Sequence, residues 1–283
     1  MPSTEIVIAS ARRTPLGAFQ GALSALSAPQ LGAAALKGAL DAAGIEPAAI
    51  DEVILGCVLA AGLGQAPARQ AAIAAGIPFA TPATTINKMC GSGLKAVMMA
   101  ADQIAAGGAE IVLAGGFESM TRAPYLLPKA RSGYRMGHGE IIDHMFLDGL
   151  QSPFDNKLMG CFADATATRY GLTREQQDTF AAESVRRALR AQARDFDAEI
   201  VAVSVKDRKS ERTVTRDEIP ATCDLDKIPT LRPAFRSSST RCRTSTPTLP
   251  GRRAACCANT RDTAWKARYW LPPLCVSTAA RRW

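Results

Sequence analysis

Histidine is almost missing from this chain. Among 283 residues there are two, His138 and His144, and no two cysteines stand in a CxxC spacing. A structural zinc site has little to be built from, so no metal is expected. The opening, MPSTEIVIAS, has no basic segment followed by an apolar stretch, which argues against a secretory signal. No uninterrupted apolar run approaches the roughly 20 residues of a membrane-spanning helix. The final Arg281-Arg282-Trp283 is neither a retention nor a peroxisomal address. The eight cysteines are therefore read as reduced thiols in a cytoplasmic protein, with Cys57, Cys161 and Cys223 as small apolar fillers. Aromatics are sparse at 6%, and abundant Ala and Gly suit closely packed helices and turns.

What is present is apolar residues, at 47%, in a chain long enough for one large domain or two ordinary ones. The net charge of +8 suggests a phosphate-bearing partner until it is located. Residues 236–283 hold ten Lys and Arg against one Asp, a net of +9, while residues 1–235 sum to −1. The body is nearly neutral, so neither nucleic acid nor a membrane surface is an expected partner. The same last 48 residues hold all three tryptophans and four of the eight cysteines.

Along the body, strand and helix alternate. EIVIA at 5–9, the run 53–59, residues 84–86 and EIVLA at 110–114 read as strands. Ser27 is placed to cap a helix over 28–43 that stops at Gly44. A short helix spans 66–75, and a long one follows Gly93, with Leu94, Val97, Met98, Ala101, Ile104 and Ala105 at helical spacing. This is the pattern of an α/β layer with a mostly parallel sheet. Residues 119–158 lose that periodicity and read as an excursion. Helices follow over 159–170 and from Thr173, where Gln176 completes a capping box and Ala181, Val185, Ala188 and Leu189 form the apolar face. Glu199–Val205 reads as a strand.

Cys90 is the candidate for chemistry. It sits between a strand and the start of the long helix, in NKMCGSGLKA. A helix N-terminus offers unpaired N–H groups and partial positive charge, which favour a thiolate and make such a cysteine nucleophilic. Gly91 and Gly93 leave room for a substrate at the backbone. The backbone N–H groups of Cys90 and Gly91 can serve an oxyanion. A buried structural cysteine beside a glycine-rich turn is the competing reading.

NKMCGSGLKAVMMAADQI, EIVLAGGFESMTRAPYLLP, KLMGCFADATATRYGLTREQQDTFAAESVRRA and LRPAF, together with the opening IVIASARRTPLGAFQGALS, resemble the thiolases over residues 4–235. The blocks look more like acetyl-CoA C-acetyltransferases than like the condensing enzymes of fatty-acid synthesis. The resemblance implies two similar βαβαβ halves in five alternating layers, with a coenzyme A-facing α-rich loop domain inserted in the first half. It implies residues 1–119 as the N-terminal α/β core, 120–235 as the loop domain and 236–283 as a basic, poorly ordered tail outside the family. Further, it implies that Cys90 takes an acyl group as a thioester, that Met159 lies near the acyl pocket, and that Arg208 and Lys209 meet coenzyme A. Where many relatives carry a His before that Met-Gly pair, this chain has Leu158. Coenzyme A or acyl-CoA would be substrate, with no covalently bound cofactor, and the assembly a homo-oligomer, dimer or tetramer.

The match breaks after Phe235. The second thiolase half brings an Asn-Glu-Ala-Phe segment, a Gly-His-Pro histidine that activates the nucleophile and a Cys-x-Gly cysteine. None is present, and the chain is too short for a whole second half. The last 48 residues contain twelve Ser and Thr, nine Arg, no Glu and one Gly, the composition expected of out-of-frame translation of GC-rich DNA. Three readings stay open: an acyltransferase forming or cleaving acetoacetyl-CoA or another 3-ketoacyl-CoA, an inactive fragment that binds coenzyme A or partner subunits, and a different condensing enzyme of the superfamily. His138 and His144 are read as polar contacts of the excursion.

Overall fold

A computed structural model describes residues 5–207, 210–235 and 277–282. The chain forms two compact units. The first takes residues 5–125, 195–207, 210–218 and 277–282, and the second takes 126–194 and 219–235. Residues 195–207 and 210–218 fold within the first unit. No helix of the described residues is long and apolar enough to cross a membrane.

The first unit opens with strand β1 (Ile6–Arg12), helix α1 (Ala28–Ala43), β2 (Glu52–Gly56), α2 (Pro67–Ala74), β3 (Ala83–Ile86), α3 (Ser92–Ala105) and β4 (Ile111–Gly116). Its α1 begins where the Ser27 hydroxyl accepts from the Gln30 N–H and the Gln30 side chain accepts from the Ser27 N–H. The helix stops at Gly44, whose φ of 62° suits a residue without Cβ. The parallel trio β4–β2–β3 comes from the successive β–α–β crossovers.

The pleat of the strands sorts two cores. Val53, Leu55 and Leu113 point to one face and pack with α1, α2, Phe117, Val203 and Val205, while Ile54, Val112 and Ala114 point to the other and pack with α3. Three layers result, with helices on both faces of the sheet. On α3 the buried residues are Ser92, Ala96, Ala100 and Ile104, whereas Leu94 is 70% and Met98 51% exposed. The helix lies where the periodicity predicts it, but apart from Ile104 its buried face is made of small residues, while Leu94 and Met98 face out. Small side chains let the helix axis come close to the strands.

The full sheet order is β1-β9-β4-β2-β3, where β9 is Ser277–Arg282. It runs antiparallel to both neighbours, pairing Ile6 with Arg282 and Ile111 with Arg281. Six residues of the tail that the resemblance sets outside the family thus form a strand of the sheet. Backbone ladders need no particular side chains, so a tail of unusual composition can still fill a gap between two strands.

The segment 195–218 closes the first unit through Arg13. The Arg13 N–H donates to the Glu199 carbonyl at 2.9 Å, and the Val201 N–H donates to the Arg13 carbonyl at 2.8 Å. Its guanidinium lies 4.7 Å from the centre of the Phe196 ring. Strands β7 (Val203–Asp207) and β8 (Ser210–Val214) form an antiparallel pair in the same unit. Between these segments the chain passes through the two-residue strands β5 (Tyr125–Leu126) and β6 (Ile142–Asp143).

The second unit is built on α4 (Met159–Arg169) and α5 (Arg174–Gln192), with α6 (Glu218–Thr222) at its boundary. The capping box at Thr173 and Gln176 is formed as predicted. Ala181 and Val185 are buried, but Leu189 is exposed. Arg174 fixes the return of the chain, donating to the carbonyls of Ile228, Pro229 and Leu231 at 2.7–3.2 Å while its Nε reaches Asp178 at 2.6 Å. Phe235 is buried over Gly160, where a Cβ would strike its ring. Cys90 is a free thiol. Buried Cys161 is disulfide-bonded, a departure from the reduced filler expected there.

Candidate active site

The site is a strand–turn–helix junction. Strand β3 ends at Ile86 and α3 begins at Ser92, so Asn87–Gly91 must turn the chain within five residues. Met89 sits at φ 50°, a left-handed conformation that costs a side-chain-bearing residue about 1–2 kcal/mol. Side chains on both sides hold it there. The Asn87 Oδ1 accepts from the Met89 N–H at 2.9 Å. The Ser92 hydroxyl donates to the Met89 carbonyl at 2.5 Å and accepts from the Lys88 N–H at 2.8 Å. The Gly91 N–H donates to the Lys88 carbonyl at 3.2 Å, and the Ser92 N–H to the Met89 carbonyl at 3.0 Å.

Cys90 follows Met89 and is exposed with a free thiol. The competing reading of a buried structural cysteine does not apply. No side chain caps the N-terminus of α3, because its N-cap residue is Gly91, which has none. The N-terminal partial charge of the helix is thus left facing the Cys90 turn.

Three glycines bring this helix end onto the sheet. A Cβ at Gly56, the last residue of β2, would lie 2.5 Å from the Ser92 Cβ and 2.8 Å from the Gly93 nitrogen. A Cβ at Gly116, the last residue of β4, would lie 3.1 Å from the Gly93 Cα and 3.2 Å from the Gly56 carbonyl oxygen. The first turn of α3 therefore rests directly on the carboxyl ends of two parallel strands, the edge at which α/β sheets place ligands. Glu118 braces that edge. Its carboxylate accepts from the N–H groups of Val58 at 2.8 Å and Leu59 at 3.1 Å, and it lies 3.6 Å from the Cys57 sulfur.

Sequence reasoning singles out Cys90 and Gly91 at this junction, and does not single out Asn87, Ser92, Gly56, Gly116 or Glu118. Asn and Ser flanking a turn are a known local signal, since both side chains bond to nearby backbone. The other three act across strands and leave no local signal. Met159 is the first residue of α4, 44% exposed, in the second unit. Arg208 and Lys209 lie outside the described residues. His138 is exposed, and His144 is buried with its Nδ1 2.5 Å from the Asp148 carboxylate, both in the second unit. Among the described residues no group of His, Cys, Asp or Glu could hold a metal ion.

These features define a layered α/β protein that presents an exposed cysteine at an uncapped helix N-terminus above the carboxyl edge of a parallel sheet. Residues 6–245 match the family described as thiolase, N-terminal domain, ten residues beyond the point where the sequence motifs stop. The chain belongs to the thiolase family. It is 50% identical over 240 residues to an acetyl-CoA acetyltransferase of Cupriavidus necator, covering 84% of this chain and 61% of that protein. An acetyl-CoA acetyltransferase of Pseudomonas aeruginosa is 48% identical over 235 residues, covering 82% of this chain and 60% of the relative. In structure the chain resembles the Acat5 thiolase of Ascaris suum crystallised with coenzyme A, with a TM-score of 0.77 and 38% identity over 85% of this chain and 61% of that one. The chain thus spans about three-fifths of the length of these relatives.

Proposed function

We propose that this chain is the acyl-accepting part of an acetyl-CoA C-acetyltransferase. In this reading, Cys90 attacks the thioester carbonyl of acetyl-CoA. A bond forms between the Cys90 sulfur and the acyl carbon, the bond from that carbon to the coenzyme A sulfur breaks, and the thiol proton of Cys90 ends on coenzyme A. The acyl group would then pass to a second acetyl-CoA to give acetoacetyl-CoA, or, in the reverse sense, to free coenzyme A during cleavage of a 3-ketoacyl-CoA. The supporting observation is the exposed Cys90 thiol at the open N-terminus of α3, in a chain whose relatives are named acetyl-CoA acetyltransferases. The Cys90 N–H is the proposed oxyanion donor, joined by the Gly91 N–H only where that group gives up the Lys88 carbonyl, with Met159 the proposed acyl-pocket residue, and Arg208 and Lys209 the proposed coenzyme A contacts. A cytoplasmic homo-oligomer belongs to the same reading.

A second reading is favoured by one observation: both histidines lie in the unit that does not carry Cys90. A fragment without a base at its nucleophile would bind coenzyme A or partner subunits without turning over. Incubation of the purified chain with acetyl-CoA, followed by peptide mass analysis, separates the two. One acetyl group on the Cys90 peptide, absent in Cys90→Ser, supports acyl transfer. An unmodified Cys90 with retained coenzyme A binding supports the inert fragment.

A further inference from the structure

We infer that Ser92, with Asn87 as its counterpart, is a positioning residue that aims Cys90; this rests on Cys90 as the acyl acceptor. Met89 is the residue whose conformation directs Cys90, and its backbone is held at both ends by side chains. Asn87 takes its N–H and Ser92 takes its carbonyl. The Ser92 hydroxyl also receives the Lys88 N–H, so one oxygen ties two successive residues of the turn to the first residue of α3. Ser92 itself cannot drift, being buried against Gly56 in the first turn of a helix packed on the sheet.

The N-cap of α3 is Gly91, which has no side chain, so Ser92 stands at the first helical position, where its hydroxyl bonds back onto the loop. It stabilises a left-handed residue that would otherwise relax and swing Cys90 away. An alanine at 92 removes both hydroxyl bonds without changing helix packing, and Met89 then keeps only the Asn87 side chain and the backbone N–H of residue 92.

The test is peptide-resolved alkylation of the full chain with iodoacetamide, which needs no coenzyme A and so stands apart from the acyl-transfer reading. Ser92→Ala slows labelling of Cys90 by about five- to tenfold, the worth of one or two net hydrogen bonds. Ser92→Thr, which keeps the hydroxyl, restores the rate. Buried Cys57, in the same unit, is the internal control. General loosening of the unit would raise Cys57 labelling, whereas loss of positioning lowers Cys90 labelling and leaves Cys57 unmoved. An unchanged Cys90 rate in Ser92→Ala, or a rise at both cysteines, overturns the proposal. Failure of acetyl-CoA to modify a normally alkylated Cys90 would instead count against the acyl-transfer reading alone.

Discussion

Arg13 and Asp217, separated by 204 positions, are joined by two hydrogen bonds of 2.7 and 2.9 Å. The same carboxylate accepts from the Leu16 N–H at 2.8 Å, and both side chains are buried. Burial acts to lower the Arg13 pKa, but the hydrogen bonds and charges of Asp217 and Glu199 outweigh it and hold it above its ordinary value. A cation raised in this way contributes stability that is complete below its unfolded pKa and lost only as pH rises through the higher folded value. The Arg13 side of this pair therefore stays charged through the neutral range. Removing Asp217 leaves a buried guanidinium with only the partly exposed Glu199 carboxylate, at 3.2 Å, to pair it. Asp217→Ala should cost about 3–5 kcal/mol in urea unfolding. A loss below about 1 kcal/mol would mean that solvent reaches Arg13 and the pair does not close the unit.

The glycine contacts predict an order of severity. Gly56→Ala drives a methyl group to 2.5 Å from the Ser92 Cβ and 2.6 Å from its carbonyl carbon, while Gly116→Ala meets Gly93 and Gly56 at 3.1–3.2 Å. The first must displace α3 and the second needs a shift of a few tenths of an ångström. Both belong to overpacking, at about 1–3 kcal/mol, with Gly56→Ala the worse. Thermal unfolding of the two variants checks the order, and equal stability would show that α3 shifts freely on the sheet.

How much of this was legible in the sequence depends on the range of the interaction. The starts of α1 and α5 follow from Ser27 and from Thr173 with Gln176 three residues on, because capping is local. Cys90 is found for the same reason, lying between an apolar run and a helical period. The buried face of α3 is not readable, since large apolar residues at helical spacing look like a core face. The glycine-lined strand ends select Ser92, Ala96 and Ala100 instead, a choice made by packing across strands that no local pattern records. Nor is the return of residues 195–218 to the first unit readable, because it depends on a buried ion pair spanning most of the chain. Strand β9 escapes for a third reason: its pairing is made by the backbone, which carries no compositional mark.

Acid should weaken the second unit in a specific way. Hydrogen bonds from Arg187 and then Arg190 hold the Glu183 carboxyl below its usual range, Lys227 does the same to Asp224, and the Ser152 hydroxyl leads for Asp155. A carboxylate with a depressed folded pKa contributes stability above its unfolded value, 4.5 for Glu183, and loses it as pH falls through the folded value. Unfolding monitored between neutral pH and pH 3 should therefore show a falling acid limb, shallower in Glu183→Gln and shallower again in salt, because these pairs are exposed. An identical limb in Glu183→Gln would show that its arginine contacts do not persist in solution.

Leu94 and Met98 carry the last prediction. They stand one turn apart on the outward side of α3, at 70% and 51% exposure, with half-exposed Met89 at the head of the same helix. Clustered apolar side chains of this kind favour self-association. They contribute little to the fold, because the helix is anchored by Ser92, Ala96, Ala100 and Ile104 on its other side. The double variant Leu94→Glu with Met98→Lys should thus stay within about 0.5 kcal/mol of the parent in urea unfolding while delaying aggregation in light scattering. The opposite result, a marked loss of stability, would mean that this face is already covered in solution. Its dependence on protein concentration would then tell cover by a second copy, which weakens on dilution, from cover by the chain's own residues, which does not.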